Sequence, residues 1–333
     1  MILDFSTDKF SFNESPLEEW QQEILAFLQL WNNDLLTLTV LTSGSTGVPK
    51  EIEVLKNSMQ QSALNTGLFF NLKKGDTAFL CLPVNYIAGK MMLVRAIVLQ
   101  LKLVCVKPSQ SINSNQKIDF AALTPMQINQ SIDSIFNFKK VIIGGSKLEE
   151  STKEKLLKIK TTIFFETYGM TETVSHIAIK NISKQENYFR LLPNISMQYD
   201  ERKCLVLSVP YISDKQIFTN DLVEIIDATK FKFLGRIDNV INSGGIKILP
   251  EIVEEKLKPY IPFNFVISSK QDDLLGEKLV LIIEGVENKK LVNKLALVFK
   301  NELTKYQIPK DIIFIKNIPK TINGKIMRKE LKK

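Results

Sequence analysis

The sequence predicts an α/β protein. A large N-terminal domain carries a mainly parallel sheet flanked by helices plus a small β-rich subdomain, and a small α+β C-terminal domain follows. Three observations predict it. The 333 residues suffice for about two domains at roughly 150 residues each. Apolar strand-like runs alternate with helix-like segments from Leu36 to about Ile179, which is the pattern of βαβ units. That alternation gives way to short strands, and then, near Arg236–Asn239, to a mixed unit of helices and strands. The reading therefore divides the chain into 1–236 and 237–333.

The elements follow in order. Pro16–Trp31 has the spacing of an amphipathic helix covering one end of the sheet. Leu36–Leu41, Thr77–Leu82, Leu103–Lys107, Ile118–Leu123, Val141–Ile143 and Thr162–Phe165 read as strands, whereas Ser58–Phe70, Gly89–Leu101, Pro125–Phe136 and Glu149–Ile159 repeat apolar residues at three and four, as helices do. Short strands follow at Cys204–Val209, Gln216–Phe218, Leu222–Ile226 and Phe231–Leu234, separated by turn residues. Beyond the boundary, Pro250 suits the first turn of a helix that Pro259 ends, and Leu291 to Leu303 mark one face of another. Strands at Phe265–Ser268, Lys278–Ile283 and Asp311–Ile315 complete the small domain.

Composition narrows the class. At 44% hydrophobic, 24% charged and 9% aromatic, the chain is an ordinary globular one and no disordered or fibrous polymer. Cys81, Cys105 and Cys204 are widely spaced in apolar surroundings, and His176 is the single histidine, so neither a zinc site nor a disulfide framework is expected. Met1–Phe10 lacks the apolar core of a signal peptide, and no run approaches the roughly 18 apolar residues of a membrane span, so a cytoplasmic location is expected. The net charge of +8 is uneven: 18 basic against 12 acidic residues lie from Asp238 onward. Solvated lysines or attraction of a polyanionic small molecule both account for that excess. Nucleic acid is not expected as a partner, since no aromatic–basic interleaving accompanies it.

Four segments carry residues suited to chemistry. Thr42-Ser43-Gly44-Ser45-Thr46-Gly47-Val48-Pro49-Lys50 follows a strand; its glycines allow close backbone approach, its hydroxyls donate, and Lys50 adds a cation. That is a phosphate cradle or a plain Ser/Gly turn, and it is not a Walker A motif. Glu166 to Thr173, with Tyr168, Gly169, Thr171 and Glu172, again lies past a strand end, where ligands of open α/β sheets bind. An aromatic face there can stack a base, and a carboxylate beside a hydroxyl can help hold Mg²⁺; a loop with a satisfied Glu is the plainer reading. Gly144-Gly145 follows another strand. Thr219-Asn220-Asp221, Gly235-Arg236-Ile237-Asp238 and Ser243-Gly244-Gly245 offer a carboxylate for ribose hydroxyls and an arginine at a domain junction, or simply a turn Asp and a surface Arg. Last, Asn323-Gly324 between apolar residues signals a tight hairpin that would fix Lys325 just past the turn.

Taken in order, TSGSTGVPK, YGMTET, TND, GRIDNVINSGGIKILPEIVEE and PKTINGKIMRKEL resemble the adenylate-forming acyl-CoA synthetase superfamily, from about residue 36 to the end. The resemblance implies two half-reactions: a carboxylic acid and ATP give an acyl-adenylate and pyrophosphate, and a thiol, usually coenzyme A, then displaces AMP. It implies a mobile C-terminal domain. Carried over by position, Ser43 to Lys50 would clasp the β- and γ-phosphates, Tyr168 and Gly145 would flank adenine, and Glu172 would coordinate Mg²⁺. Asp221 would hold the ribose with Arg236 nearby, Asp238 would be the hinge, Gly244-Gly245 would face coenzyme A, and Lys325 would be the adenylation lysine. The chain departs from the pattern in three ways. Thr42 already lies in the phosphate loop, so the first subdomain is expected to be cut down; Glu51 replaces a usual glycine; and Tyr86 stands where the family usually has histidine.

Within that superfamily, PVNYIAG, TETVSHIA and the short front are most similar to the o-succinylbenzoate–CoA ligases of menaquinone synthesis. Arg95 lies among Met91, Met92, Leu93, Val94 and Ala96, and the resemblance associates a cation at this helix position with the second carboxylate of a dicarboxylic acid. A buried charge needs such a partner; the plainer alternative is an arginine that reaches solvent along the helix flank. Ser175 and His176 are further pocket candidates. Other acyl- or aryl-CoA ligases, carrier-loading adenylating enzymes and a noncatalytic nucleotide sensor share the nucleotide motifs.

Overall fold

A computed structural model describes residues 1–7, 17–41, 51–146, 148–320 and 326–332. The chain falls into two compact units, one of Met1–Met197, Leu207–Ile217 and Asp227–Phe231, the other of Gln198–Val206, Phe218–Ile226 and Lys232–Lys333.

The first unit begins with β1 (Ile2–Asp4), α1 (Glu19–Asn32), β2 (Thr37–Leu41), β3 (Glu51–Leu55) and α2 (Lys56–Phe70). It continues through β4 (Thr77–Leu80), α3 (Ile87–Val98), β5 (Lys102–Cys105), β6 (Ile118–Leu123), α4 (Pro125–Ser131), β7 (Phe138–Ile143), α5 (Glu150–Leu156), β8 (Ile163–Gly169), β9 (His176–Asn181) and β10 (Phe189–Leu191). The order β1-β5-β4-β6-β7-β8-β9-β10 makes a mixed sheet whose centre, β5 to β8, is parallel. Those central strands are rich in buried Val, Ile, Leu, Phe and Ala, as parallel strands covered on both faces are. Phe79, Phe120, Phe138, Val141 and Phe164 have essentially no exposed surface.

Two expectations are corrected. The run at Leu36–Leu41 is not a strand of the parallel sheet; β2 pairs antiparallel with β3 as a separate ribbon, Val40 opposite Ile52. Its β-branched alternation suits any half-buried strand, and alternation alone does not name the partner. The sheet edge is instead β1, antiparallel to β5 with Leu3 opposite Leu103. Helix ends also shift: Pro125–Phe136 resolves into α4 and a short 3₁₀ turn at Ile132–Ser134.

In the chain that follows lie β11 (Ser196–Tyr199), β12 (Cys204–Ser208), β13 (Ile217–Asp227) and β14 (Lys230–Arg236). The two short strands expected over Gln216–Ile226 are one. Thr219 holds its own segment extended, donating from Oγ1 to Leu205 O at 2.7 Å while accepting from Asp221 N at 3.1 Å. The second unit then adds β15 (Ile241–Ser243), β16 (Ile246–Ile248), α6 (Pro250–Leu257), β17 (Phe265–Asp272), β18 (Gly276–Glu284), α7 (Lys289–Glu302) and β19 (Asp311–Ile315). Its sheet runs β16-β15-β18-β17, with β19 parallel to β18. Pro250 occupies the first turn of α6, and Leu291, Leu295, Val298 and Phe299 bury one stripe of α7, as their spacing demands. Among the described residues, no helix is long and apolar enough to cross a membrane.

Candidate active site

Parallel pairing aligns two strand ends. Ile143 of β7 stands opposite Glu166 of β8, so Gly144-Gly145 leaves the sheet at its carboxyl edge while Thr167, Tyr168 and Gly169 run on in β8, paired with β9. A Cβ on Gly144 would meet Thr167 Oγ1 at 2.5 Å, which shows how closely the two segments run. The Tyr168 ring is half-buried, edge-on to Phe231 at 5.2 Å and tilted against Phe189 at 5.8 Å. Glu166, on the same face of β8, is tied to Lys180 Nζ at 2.7 Å. The strand therefore spends one carboxylate on structure. It leaves Glu172, exposed on the following 3₁₀ turn with Thr171, as the acidic group at the sheet edge.

A loop then returns to β9 under strain. Val174, a buried β-branched residue, has φ 63° and ψ −47°, and Ser175 N donates to Thr173 O at 2.6 Å, closing a γ-turn. Thr173 braces it, donating to Met170 O and accepting from Met170 N, each at 2.9 Å. Such backbone costs on the order of 1–3 kcal/mol and persists only where its surroundings enforce it. Its product is position: Ser175 and His176 turn toward α3.

There they meet Arg95. This side chain is 2% exposed, in a stretch of α3 where Met91 to Ala96 are all buried. Nη2 donates to Ser175 Oγ at 2.6 Å and to His176 Nδ1 at 3.3 Å, Nε reaches Thr66 Oγ1 at 3.4 Å, and Nη1 lies 3.5 Å from Met92 Sδ. Every one of these partners is neutral. No carboxylate stands within 4 Å of Arg95 among the described residues. Burial brings its guanidinium pKa down to about 10.

The histidine is fixed by the same contacts. An arginine cannot accept, so His176 Nδ1 must, and the ring proton is thereby assigned to Nε2, which lies 3.5 Å from Thr66 Oγ1. Burial first, and the Arg95 charge second, hold His176 well below the usual imidazole pKa, so it is neutral at pH 7. Thr66 Oγ1 donates its own hydrogen bond to Ser62 O at 2.9 Å. Ser58, Ser62, Asn65 and Thr66 are all buried and recur at three- and four-residue spacing, which puts a polar stripe on the inner face of α2. Sequence reasoning that followed the apolar residues of this helix missed that stripe, though its spacing was readable.

In the second unit, Asp221 is 7% exposed on β13, and Arg236 Nη1 lies 3.7 Å from its Oδ1. Arg236 Nη2 also holds Asp238 Oδ2 at 2.8 Å, and Asn220 Nδ2 donates to Asp238 Oδ1 at 3.2 Å. The Arg236 partner, more than the Asn220 hydrogen bond, keeps the Asp238 carboxyl below its usual pKa. Gly244 and Gly245, at φ 59° and 81°, form the two-residue loop of the β15–β16 hairpin, a turn that needs a left-handed backbone at both positions. Tyr86 caps the start of α3, 37% exposed; nine residues before Arg95, it lies roughly 13 Å further along the axis at 1.5 Å per residue. The structure thus brings Arg95, Ser175 and His176 together, and Gly144 against Thr167, but keeps Tyr86 out of the arginine cluster. Thr42, Ser43, Gly44, Ser45, Thr46, Gly47, Lys50 and Lys325 lie outside the described residues.

Comparison with known proteins identifies a family. The AMP-binding enzyme family matches residues 3–199. The 2-succinylbenzoate–CoA ligase of Lactococcus lactis is 24% identical, over 99% of this chain and 81% of its own. That of Listeria monocytogenes serotype 4b is also 24% identical, over 100% and 78%. A crystal structure described as an acyl-CoA synthetase (AMP-forming)/AMP-acid ligase II-like protein from Dyadobacter fermentans is 33% identical with a TM-score of 0.65, covering 96% of this chain and 95% of that one. The o-succinylbenzoate CoA synthetase of Bacillus subtilis, solved with its acyl-adenylate intermediate, shares the fold at TM-score 0.75 and 19% identity, over 89% of this chain and 68% of that one.

Proposed function

The chain belongs to the AMP-binding enzyme family, in its AMP-forming acyl-CoA synthetase branch, and we propose that its substrate is a dicarboxylic acid, o-succinylbenzoate, activated as an acyl-adenylate and passed to coenzyme A. One observation carries the substrate: Arg95 is a buried cation whose described partners are all neutral. Removing a guanidinium from water is costly, and a carboxylate brought by the substrate would offset that cost with charge-assisted hydrogen bonds. The relatives named as 2-succinylbenzoate–CoA ligases support the same acid.

The nucleotide would sit at the carboxyl edge, with Tyr168 and Gly145 flanking adenine and Asp221, steadied by Arg236, accepting from the ribose. Glu172 fits a magnesium site. Among the described residues no cluster of three His, Cys, Asp or Glu could hold a metal unaided, and Mg²⁺ characteristically takes one or two carboxylates while phosphates and water fill its other positions. Bound there, the ion would neutralise phosphate charge. The obstacle in the first half-reaction is anion meeting anion: a repulsion of about 1 kcal/mol at 4 Å in water and about 4 at an effective dielectric of 20. Lys325 is the ammonium proposed to offset it, delivered by rotation of residues 237–333 about Asp238. In the second orientation Gly244-Gly245 would line the path of coenzyme A. A cytoplasmic setting suits three described cysteines that are buried free thiols.

The test is pyrophosphate release across a panel of carboxylic acids. Release with o-succinylbenzoate well above that with monocarboxylic aryl acids is the expected outcome. No acid-dependent release, with ATP still bound, would instead identify a nucleotide sensor.

A further inference from the structure

Arg328, three residues after Lys325, is tied to the second unit by contacts a solvated tail residue would not make. Nη1 donates to Ile267 O of β17 at 2.8 Å, Nη2 pairs with Glu254 Oε2 of α6 at 2.7 Å, and Nε lies 3.9 Å from Glu251 Oε1. Glu251 and Glu254, three apart, share one face of α6, and all three side chains are largely buried. Glu254 completes the lock by accepting Ile267 N through Oε1 at 2.8 Å. Burial alone would lower the Arg328 pKa; the two carboxylates override it and hold it above the usual value.

The network continues in two directions. Toward the tail, Lys320 bridges Ile326, Met327 N donates to Pro319 O at 2.9 Å, and Ser268 Oγ donates to Leu331 O at 3.3 Å, so the residues on both sides of 321–325 are fastened to the β17–β18 sheet. Ile326 and Leu331 pack on Val266, Val280, Ile282 and Ile318. Toward the domain junction, Glu251 Oε1 accepts from Asn239 Nδ2 at 2.5 Å, the residue after Asp238, and a Cβ on Gly235 would stand 2.6 Å from Glu251 Oε2.

From this we infer that Arg328 is a positioning residue for adenylation: through Glu254 and Ile267 it holds the segment that begins at Ile326, next in sequence after Lys325, and through Glu251 and Asn239 it couples that segment to the proposed hinge at Asp238. The inference rests on the role proposed for Lys325. A lysine is a point charge on a four-carbon stem, so where its ammonium lands depends on how firmly its backbone is held. A misplacement of about 1 Å can cost roughly 10²-fold in rate.

The experiment separates the half-reactions, using o-succinylbenzoate-dependent pyrophosphate exchange for the first and thioester formation from supplied o-succinylbenzoyl-adenylate and coenzyme A for the second. Arg328→Lys keeps a cation between the carboxylates but loses the two-pronged grip. It should lower the exchange kcat by about 10²-fold with KM for ATP unchanged, and leave thioester formation intact. Glu254→Gln, which keeps an acceptor for Ile267 N, should lower exchange in the same direction by less. Lys325→Ala is the control. If it abolishes exchange while Arg328→Lys and Glu254→Gln leave exchange untouched, or slow both half-reactions alike, the positioning role is overturned. If Lys325→Ala itself spares exchange, the proposed adenylation chemistry falls and takes this inference with it.

Discussion

Two arginines, one buried and one largely so, stand at opposite electrostatic extremes. Arg328 lies between two carboxylates and a carbonyl, and its guanidinium is held more firmly protonated than in water. Arg95 is deeper still, faces two hydroxyls, a thioether and a neutral imidazole, and is pulled down to about 10. Burial is common to both, so burial alone says nothing about role. The difference in partners separates them: Arg328 is surrounded by anions that its own unit supplies, whereas Arg95 stands among neutral groups, which is the observation behind its proposed role toward a ligand's charge.

The largest expected effect breaks that contrast at the level of stability. Arg328→Met strands two carboxylates in the second unit and should cost about 3–5 kcal/mol, read by chemical denaturation. Arg95→Met strands no carboxylate and removes an uncompensated buried charge, so its cost should be well below that of Arg328→Met. Equal losses would mean Arg95 is structural after all.

Next, Arg95→Met should raise KM for o-succinylbenzoate by about 10- to 100-fold, which corresponds to losing hydrogen bonds to a charged group worth about 1.5–3 kcal/mol. KM for ATP should stay put, and parallel rises in both would point to a collapsed pocket.

The smallest effect concerns the neighbour of that cation. His176 has a folded pKa well below the unfolded value of about 6.5, so the unfolded chain binds a proton that the folded chain refuses. Stability should be independent of this group above pH 6.5 and fall below it by at most about 1.4 kcal/mol per pH unit until the folded pKa is reached. His176→Gln should flatten that slope between pH 6.5 and 5. An unchanged slope would assign the loss to other groups.

Much of this was legible in the residues, and what was not has identifiable causes. The parallel core could be read because buried strands and amphipathic helices have different periods: Ile118–Leu123 begins and ends where the pattern does. The β2–β3 ribbon escaped because Glu51-Ile52-Glu53-Val54-Leu55 alternates correctly for a strand, yet pairing is a tertiary choice. Arg95 stood out through its apolar neighbours along the helix. Arg328 did not, since in a lysine-rich tail it looks solvated, and the carboxylates that bury it lie more than seventy positions earlier on α6. The Val174 γ-turn, which aims Ser175 and His176, leaves no mark in composition at all.

Discrimination between o-succinylbenzoate and an analogue lacking the carboxylate that is not adenylated bears most directly on the central claim, measured as kcat/KM in wild type and in Arg95→Met. Wild type should prefer the diacid by at least about tenfold, as one charge-assisted contact warrants, and the variant should use both acids alike. Wild type accepting both equally, or the variant keeping the preference, would contradict the assignment of Arg95 to the substrate's second charge.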